Sequence, residues 1–387
     1  MPTIIKGDKV LVSGANGYIA MWVIRHLLER GYLVRGTVRS EAKGKYVKEY
    51  FTSLGFGDEL ELVIVNDIEK EGAFDEAIKG VDAIAHIASP VHHNVKHPDG
   101  MQTLVPRLDC QFTSHDAVLE FFRPAIQGTV GMLQSALKSN VKRIVVTSSC
   151  AAILTSIDKP STFSENDWNT SSPKEVEEKG SDASPSAIYR TSKTLAEKAA
   201  WKFYEEHKSE LKWDLTVIHP PYLMASKPPI HEIDSPASLN TSLKYWYDIV
   251  IADTPKNKER LAFSSGWVDV RDTALGHVFA LEKEAAGGER IITAAGTSIP
   301  ERAKNLNGNQ VVGSFNFQEW INVANSLPPS FHSNQRLATG YPELFTKDTI
   351  YHVLYDKSKE ERILGIKFHT KTETTRDTLK DFARRGW

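Results

Sequence analysis

The segment that most constrains the fold is residues 9–20, which read KVLVSGANGYIA. The apolar run KVLV predicts a buried strand, and a helical pattern follows it after a tight turn. The turn has the spacing G-x-x-G-x-x-A, with Gly14, Gly17 and Ala20 at its three fixed positions. Gly14 allows the turn, Gly17 lets a diphosphate approach the helix N-terminus, and Ala20 permits close packing of helix on strand. Between a strand and a helix, this pattern predicts a dinucleotide-binding unit rather than an ordinary loop.

Apolar strands alternate with helical patterns through the first 150 residues. The further strands are LVRGTVR, LELVIVND, AIAHIAS and RIVVTSS, at residues 33–39, 60–67, 83–89 and 143–149. Such continuous apolar runs are typical of parallel strands that are covered on both faces. The sequence therefore predicts an α/β fold: a Rossmann-type doubly wound parallel sheet with helices on both faces and a smaller C-terminal substrate lobe.

The later part of the chain is less regular. Gly31 should end the first helix at its C′ position, residues 158–185 are predicted to be a long surface loop, and residues 215–223 a sixth strand.

Two domains are expected, with a soft boundary between them. Residues 1–220 should form the dinucleotide-binding Rossmann domain, and residues 221–387 mainly the substrate lobe. The sequence leaves open whether a helix around 271–283 and a strand around 289–295 return to the first domain.

Composition excludes several functional classes. The 47 basic and 49 acidic residues nearly balance, which argues against a nucleic-acid partner. Two cysteines, Cys110 and Cys150, are too few for a disulfide framework and fit a reducing compartment. The N-terminal residues do not resemble a signal peptide, and no apolar run reaches the roughly 18 residues of a membrane span. We expect a soluble, cytoplasmic protein without a membrane partner.

A tyrosine and a lysine lie four residues apart in SAIYRTSKTLAEKAAW, which reads as a helix. Tyr189 and Lys193 should therefore occupy one helix face, one turn apart. Ser149 ends the fifth strand, at the sheet edge where open α/β proteins build their sites. A free phenol is a weak acid with a pKa of about 10, and a nearby ammonium stabilises its phenolate. Tyr189 could thus protonate a carbonyl oxygen that Ser149 also contacts.

The residues after the second strand favour one cofactor. An NAD site usually has an acidic residue about 20 residues after the glycines, but this chain has TVRSEAK there, with Arg39 and Lys43. Two cations suit a 2′-phosphate, which favours NADPH/NADP+ over NAD(H). Asp67, after the third strand, could contact the adenine or simply form a turn.

These motifs together resemble one family. VSGANGYIA, TSS and YRTSK look like the extended short-chain dehydrogenase/reductases. VRSEAK, HIASPV, FSENDWN, WVDVRDTALGH and YDKSKEERILGIKF are similar to its dihydroflavonol-4-reductase-like branch, and to the fungal NADPH-dependent carbonyl, aldehyde and methylglyoxal reductases within that branch.

The resemblance implies an NADPH-dependent carbonyl reductase, an NADP-dependent oxidoreductase that converts a ketone or aldehyde to an alcohol. It makes Ser149 the carbonyl-binding serine, Tyr189 the acid and Lys193 its partner. The cofactor-binding residues that it implies are Gly14, Asn16, Gly17, Tyr18, Ile19, Arg39, Lys43, Asp67, Ile68, Ala88, Ser89, Tyr189, Lys193, Pro220, Tyr222 and Ser242.

Alternatives remain at this stage. A hydroxysteroid dehydrogenase or a nucleotide-sugar epimerase would share the fold, and an NADP(H)-sensing regulatory protein would bind the cofactor without turnover.

A histidine-rich insertion with His92, His93, His97 and His115 lacks standard ligand spacing, so no metal is expected. His86, within the fourth strand, is expected to be a hydrogen-bonded core residue. The partner should be a small-molecule carbonyl substrate, and the protein a monomer or homodimer.

Overall fold

The computed structural model describes residues 3–89, 115–137, 139–225, 233–251, 256–295, 313–332, 336–346 and 348–387. In these residues the strands are β1 (Lys9–Val12), β2 (Leu33–Val38), β3 (Leu60–Ile64), β4 (Ala83–His86), β5 (Arg143–Thr147), β6 (Ser161–Phe163), β7 (Asp214–His219), β8 (Tyr222–Met224), β9 (Ser264–Asp269), β10 (Arg290–Ile292), β11 (Ser314–Asn316) and β12 (Val353–Tyr355). The helices are α1 (Tyr18–Glu29), α2 (Glu41–Ser53), α3 (Asp75–Ile78), α4 (His115–Ala136), α5 (Ser171–Lys179), α6 (Pro185–His207), α7 (Thr241–Val250), α8 (Lys258–Ala262), α9 (Val270–Glu282), α10 (Phe317–Ser326), α11 (Ser358–Ile363) and α12 (Lys371–Arg385).

Seven parallel strands form the main sheet, in the order β10-β7-β5-β4-β1-β2-β3. The chain moves outward from β1 through β2 to β3 and then returns to β4 on the other side of β1. The strand order thus reverses between β1 and β4, which is the crevice where doubly wound sheets bind ligands. The predicted doubly wound sheet is confirmed.

Alternation along the strands explains why both faces are covered. Val10 and Val12 belong to the core under α1 and α9, whereas Leu11 belongs to the core under α4 and α6. Because every second side chain points to the opposite face, a strand that is buried on both faces must be apolar throughout. Gly31 follows α1 with a φ of +84°, as the predicted C′ position requires.

A second core lies beside this sheet. The three-stranded sheet β11-β9-β8 packs with α7, α10 and α12 around Trp246, Trp320, Phe315 and Phe382. Strand β10 is nevertheless hydrogen-bonded to β7 of the main sheet, and α9 packs against α1. The chain therefore returns to the main sheet after it has entered the second core.

Two predictions from the sequence were wrong. The expected strand at 215–223 is divided by Pro220 and Pro221, because consecutive prolines lack the N–H groups that continue a ladder. Its first part, β7, stays in the main sheet, and its second part, β8, pairs with β9 instead. The expected loop at 158–185 contains β6, which pairs with the distant β12, and the helix α5.

Candidate active site

The glycine turn forms a cradle at the N-terminus of α1. Gly14 has a φ of +66°, in the left-handed region that favours glycine, and a Cβ there would lie 3.2 Å from both Cα and Cβ of Ala88. The Gly17 amide donates to the Gly14 carbonyl oxygen at 2.8 Å, and the helix starts at the next residue. The first amides of a helix have no partner inside it, and they point toward this turn. A diphosphate fits this arrangement.

Ser13 and His86 fix the floor of the cradle. The Ser13 hydroxyl oxygen accepts hydrogen bonds from the amides of Ile87 and Ala88, both at 2.9 Å, and lies 3.0 Å from Nδ1 of His86. Since both amides are donors, the hydroxyl proton is left for His86, whose Nδ1 must accept it. Burial lowers the pKa of His86 to about 4, which agrees with a neutral ring. The expected role of His86 as a hydrogen-bonded core residue is confirmed.

The turn is also tied to the second core. Tyr18, the first residue of α1, is buried, and its hydroxyl donates to the carbonyl oxygens of Met224, at 3.1 Å, and Ala225. Asn16 and Ile19, on either side of the Gly17–Tyr18 step, are half-buried. These contacts hold the start of α1 against the end of β8.

The residues predicted for the adenine end lie at the carboxyl edge of β2 and β3. Arg39 directly follows β2, and Lys43 lies in the first turn of α2; both side chains are exposed. Asp67 is exposed and its Oδ1 accepts from the Glu69 amide at 2.9 Å, so this aspartate forms a turn, while Ile68 is half-buried. Two exposed cations at this edge fit a 2′-phosphate.

Two of the predicted catalytic residues lie on α6, and this helix packs against the turn that follows Ser149. The Lys193 ammonium donates to the Ser89 hydroxyl oxygen at 3.2 Å, which joins α6 to the loop after β4. Tyr189, one turn earlier on α6, is 52 % exposed. Ser149 follows β5; its hydroxyl oxygen accepts from the Ala151 amide at 3.1 Å, and its hydroxyl donates to the Pro220 carbonyl oxygen at 3.4 Å.

Aromatic rings stand beside this group. Tyr222 packs edge-to-face against Phe263 at 6.0 Å and Phe315 at 5.9 Å between ring centroids. Burial raises the pKa of Tyr222 to about 12, and Tyr189 is among the groups whose charge acts on it. Ser242 lies in the first turn of α7, whose N-cap is Asn240. The aromatic wall is suited to the apolar part of a small organic molecule.

Sequence reasoning missed a buried ionic group behind these residues. Glu197 on α6 accepts from Ser148 Oγ at 2.5 Å, His219 Nε2 at 2.8 Å and Arg290 Nε at 2.7 Å. The signal in the sequence was the position of Glu197 four residues after Lys193, which places both on one helix face.

Two other sequence expectations concern cysteine and metal. Cys150 is buried, its thiol donates to the His219 carbonyl oxygen at 3.3 Å, and burial raises the pKa of that thiol, so it packs rather than reacts. His92, His93, His97 and Cys110 lie outside the described residues, as does the side chain of His115. Among the side chains that the structure does describe, no three His, Cys, Asp or Glu residues are grouped to hold a metal ion. In the same part of the chain, every helix is too short or too polar to cross a membrane.

Known proteins resemble this chain along nearly its whole length. Residues 14–233 match a family model described as NAD(P)H-binding. A ketoreductase from Aspergillus niger is 33% identical over 366 residues, which are 93% of each chain. The NADPH-dependent methylglyoxal reductase of Saccharomyces cerevisiae is 30% identical over 385 residues, 97% of this chain and 98% of the relative.

Solved structures agree with these sequence matches. The yeast methylglyoxal/isovaleraldehyde reductase complexed with NADPH superposes with a TM-score of 0.75 at 27% identity, covering 98% of this chain and 99% of the other. The related complex with NADPH from Candida albicans gives a TM-score of 0.77 at 28% identity, covering 98% and 100%.

Proposed function

This chain belongs to the NAD(P)H-binding extended short-chain dehydrogenase/reductases and is an NADPH-dependent carbonyl reductase, in which we propose that Ser149, Tyr189 and Lys193 are the catalytic residues. The observation that supports this assignment best is the hydrogen bond from Lys193 to Ser89. It holds the helix of Tyr189 over the carboxyl edge of the sheet, next to the glycine cradle. When bound there, NADPH supplies the hydride that reduces the carbonyl carbon.

Each catalytic side chain has a separate task. Tyr189 donates its hydroxyl proton to the oxygen of the substrate carbonyl, and its exposed position leaves it accessible to substrate. The Lys193 ammonium stabilises the phenolate that remains. Ser149 donates a hydrogen bond to the same oxygen as negative charge develops on it. The Ala151 amide occupies only the hydroxyl oxygen, and the proton, which is donated to the Pro220 carbonyl oxygen over 3.4 Å, would turn to the substrate oxygen instead.

The cofactor residues divide by the part of the dinucleotide that they would hold. The cradle around Gly14 and Gly17 suits the diphosphate, and Arg39 and Lys43 suit the 2′-phosphate. Loop residues Ala88 and Ser89, with Pro220 and Tyr222, lie toward the catalytic group and would surround the nicotinamide end. The remaining assignments are Asn16, Tyr18, Ile19, Asp67, Ile68 and Ser242. The Asp67 carboxylate also accepts a hydrogen bond from the Glu69 amide in its own turn.

The domain boundary follows from the same division. Residues 1–220, together with α9 and β10, would form the NADP-binding domain. The rest of 221–387 would form the lobe that shapes the substrate pocket. In this lobe, Tyr222 and Phe263, whose rings are in contact, would lie on the side toward the catalytic residues. We also infer that the enzyme is cytoplasmic and acts as a monomer or homodimer. Light scattering on the purified protein would distinguish the monomer from the homodimer.

A direct assay tests the activity. Purified protein is incubated with NADPH or NADH and a panel of ketones, aldehydes and diketones, and loss of reduced cofactor is followed by absorbance. We expect substrate-dependent oxidation of NADPH, with alcohol formation confirmed by mass spectrometry. A folded sample that binds NADPH but oxidises it with none of the carbonyl compounds would contradict the proposal.

A further inference from the structure

One buried carboxylate links three strands of the main sheet to the helix of Tyr189 and Lys193. Glu197 is 3% exposed and lies one helical turn after Lys193 on α6. Its partners are Ser148, directly after β5, His219, the last residue of β7, and Arg290, the first residue of β10. A single side chain therefore connects α6 by hydrogen bonds to residues of β7 and β10 and to the residue after β5.

Two of these partners are immediate neighbours of active-site residues. Ser148 precedes Ser149, and His219 precedes Pro220. The main chain reinforces this link, because the Cys150 amide donates to the Pro220 carbonyl oxygen at 3.0 Å. A shift of the Glu197 carboxylate would therefore reach Ser149 by two routes. One is the peptide bond from Ser148 to Ser149, and the other is the peptide bond from His219 to Pro220 and the hydrogen bond from the Cys150 amide to Pro220.

The third partner is itself rigidly held. The guanidinium of Arg290 donates to the carbonyl oxygens of Glu165 and Asp167, and it lies 3.7 Å from the ring centroid of Trp168. Its Nε remains directed at Glu197. Trp168 belongs to the FSENDWN segment, whose Asn169 also donates to the Ala151 carbonyl oxygen at 3.0 Å. The segment thus contacts both the ionic group and the turn after Ser149.

Charge makes the carboxylate hard to replace. Burial alone would raise the pKa of Glu197, but His219 and Arg290 outweigh it and lower the pKa to about 2. The group is therefore an anion at neutral pH that accepts hydrogen bonds from Ser148, His219 and Arg290. A glutamine would keep the shape but would direct an N–H₂ donor at a donor, which leaves buried polar atoms unsatisfied.

We propose that Glu197 is a positioning residue for the reduction. Through Ser148 and His219 it holds Ser149 relative to the helix of Tyr189 and Lys193, so that the hydroxyls of Ser149 and Tyr189 reach the same carbonyl oxygen. The inference rests on the proposed function of Ser149. It assigns no contact between Glu197 and substrate or cofactor. Loss of the Glu197 carboxylate should therefore lower kcat. The binding of NADPH, which uses the glycine cradle and the cations at the 2′-phosphate, should stay almost unchanged.

The test is a double-mutant cycle between Glu197→Gln and Ser149→Ala. Since displacements of about 1 Å can reduce a rate about 100-fold, Glu197→Gln should reduce kcat by about 10- to 100-fold. The dissociation constant of NADPH, measured by quenching of tryptophan fluorescence, should stay within a few-fold of wild type. With Ser149→Ala already present, Glu197→Gln should cause little further loss, because the group that it positions is gone.

A buried ion pair at the other end of the same strands is the matched control. Arg143 on β5 binds Asp214 on β7 at 2.5 and 2.8 Å. Asp214→Asn should lower the melting temperature but leave kcat of the folded protein unchanged. A purely structural role of Glu197 would make its variant behave in the same way.

The outcomes separate the inference from the proposed function. If Ser149→Ala leaves kcat unchanged, the role proposed for that serine is wrong. If Ser149→Ala lowers kcat but Glu197→Gln does not, or lowers it equally in both backgrounds, the positioning role alone is overturned. Should Glu197→Gln not fold, Ser148→Ala decides: it removes one hydrogen bond and keeps the ions, and an effect on kcat independent of Ser149 would equally overturn the inference.

Discussion

The Lys193 ammonium donates a hydrogen bond to the hydroxyl of Ser89, with 3.2 Å between Nζ and Oγ, although 104 positions separate the two residues. The contact joins α6 to the loop that follows β4. Ala88, the neighbour of Ser89, packs against Gly14 of the cradle. The proposed proton donor and the proposed cofactor site are therefore connected through two adjacent loop residues.

Ser89→Ala should weaken this connection. Hydrogen bonds to charged groups contribute about 1.5–3 kcal/mol, but the half-buried site is screened, so we expect kcat/KM to fall by less than about tenfold. Steady-state kinetics with varied NADPH measures the effect. Ser89→Thr keeps a hydroxyl and should retain most of the activity. Equal kinetics for the alanine and threonine variants would show that the hydroxyl is not used.

Tyr189→Phe should remove the proton donor without disturbing the fold. General acids contribute about 10²- to 10⁴-fold, so kcat should fall by that factor. Because the side chain is 52 % exposed, the melting temperature and NADPH affinity should change little. Tyr50→Phe, on α2, removes the same atom far from α6 and should leave kcat unchanged. Near-wild-type turnover of Tyr189→Phe would exclude this tyrosine as the acid.

The main sheet and the glycine turn were predictable because their signals are local. A strand buried on both faces must be apolar throughout, and Gly14 needs a positive φ that few other residues tolerate. Each of these features is encoded within about ten residues. The pair Tyr189 and Lys193 was likewise visible, because helical spacing alone places them on one face.

The features that were missed depend on contacts between distant segments. Strand β6 exists because Thr162 pairs with Leu354, and nothing in the polar sequence around Thr162 indicates that partner. The spacing of Glu197 from Lys193 places both on one helix face, but its burial could not be predicted, since it depends on Arg290 and His219 from other strands. Local patterns do not encode such pairings.

Arg39→Asp should change the cofactor preference. If Arg39 binds the 2′-phosphate, its loss removes a charge-assisted interaction and adds repulsion, which should raise the KM for NADPH by about 10- to 100-fold. The KM for NADH should change much less. Lys45→Asp is the control: it makes the same change in net charge on α2, where Lys45 lies 3.8 Å from Glu49. Equal effects of Arg39→Asp on both cofactors would contradict the 2′-phosphate assignment.

Gly14→Ala should weaken NADPH binding as well as stability. A φ of +66° strains alanine by about 1–2 kcal/mol, and the new Cβ would crowd Ala88. Gly55→Ala is matched, because Gly55 has a φ of +88° and its added Cβ would meet no atom of the described residues within 4 Å beyond its chain neighbours. Both variants should lose stability in chemical denaturation, but only Gly14→Ala should raise the dissociation constant of NADPH. An unchanged dissociation constant of NADPH in Gly14→Ala would show that the cradle is not the cofactor site.

His277 should make stability depend on pH. Its Nε2 lies 2.7 Å from Thr147 Oγ1, its Nδ1 lies 2.8 Å from the Thr273 carbonyl oxygen, and burial lowers its pKa to about 4. An unfolded histidine binds a proton below about pH 6.5, whereas the folded one stays neutral down to about pH 4. The contribution of His277 to the free energy of unfolding is therefore complete above about pH 6.5 and is lost as the pH falls toward about 4, by about 1–3 kcal/mol.

Urea unfolding at about pH 7 and about pH 4.5 should show a smaller pH effect for His277→Gln than for wild type. His352→Gln, which replaces an exposed ring, should retain the wild-type dependence. Equal pH dependence in all three proteins would contradict the neutral buried state of His277.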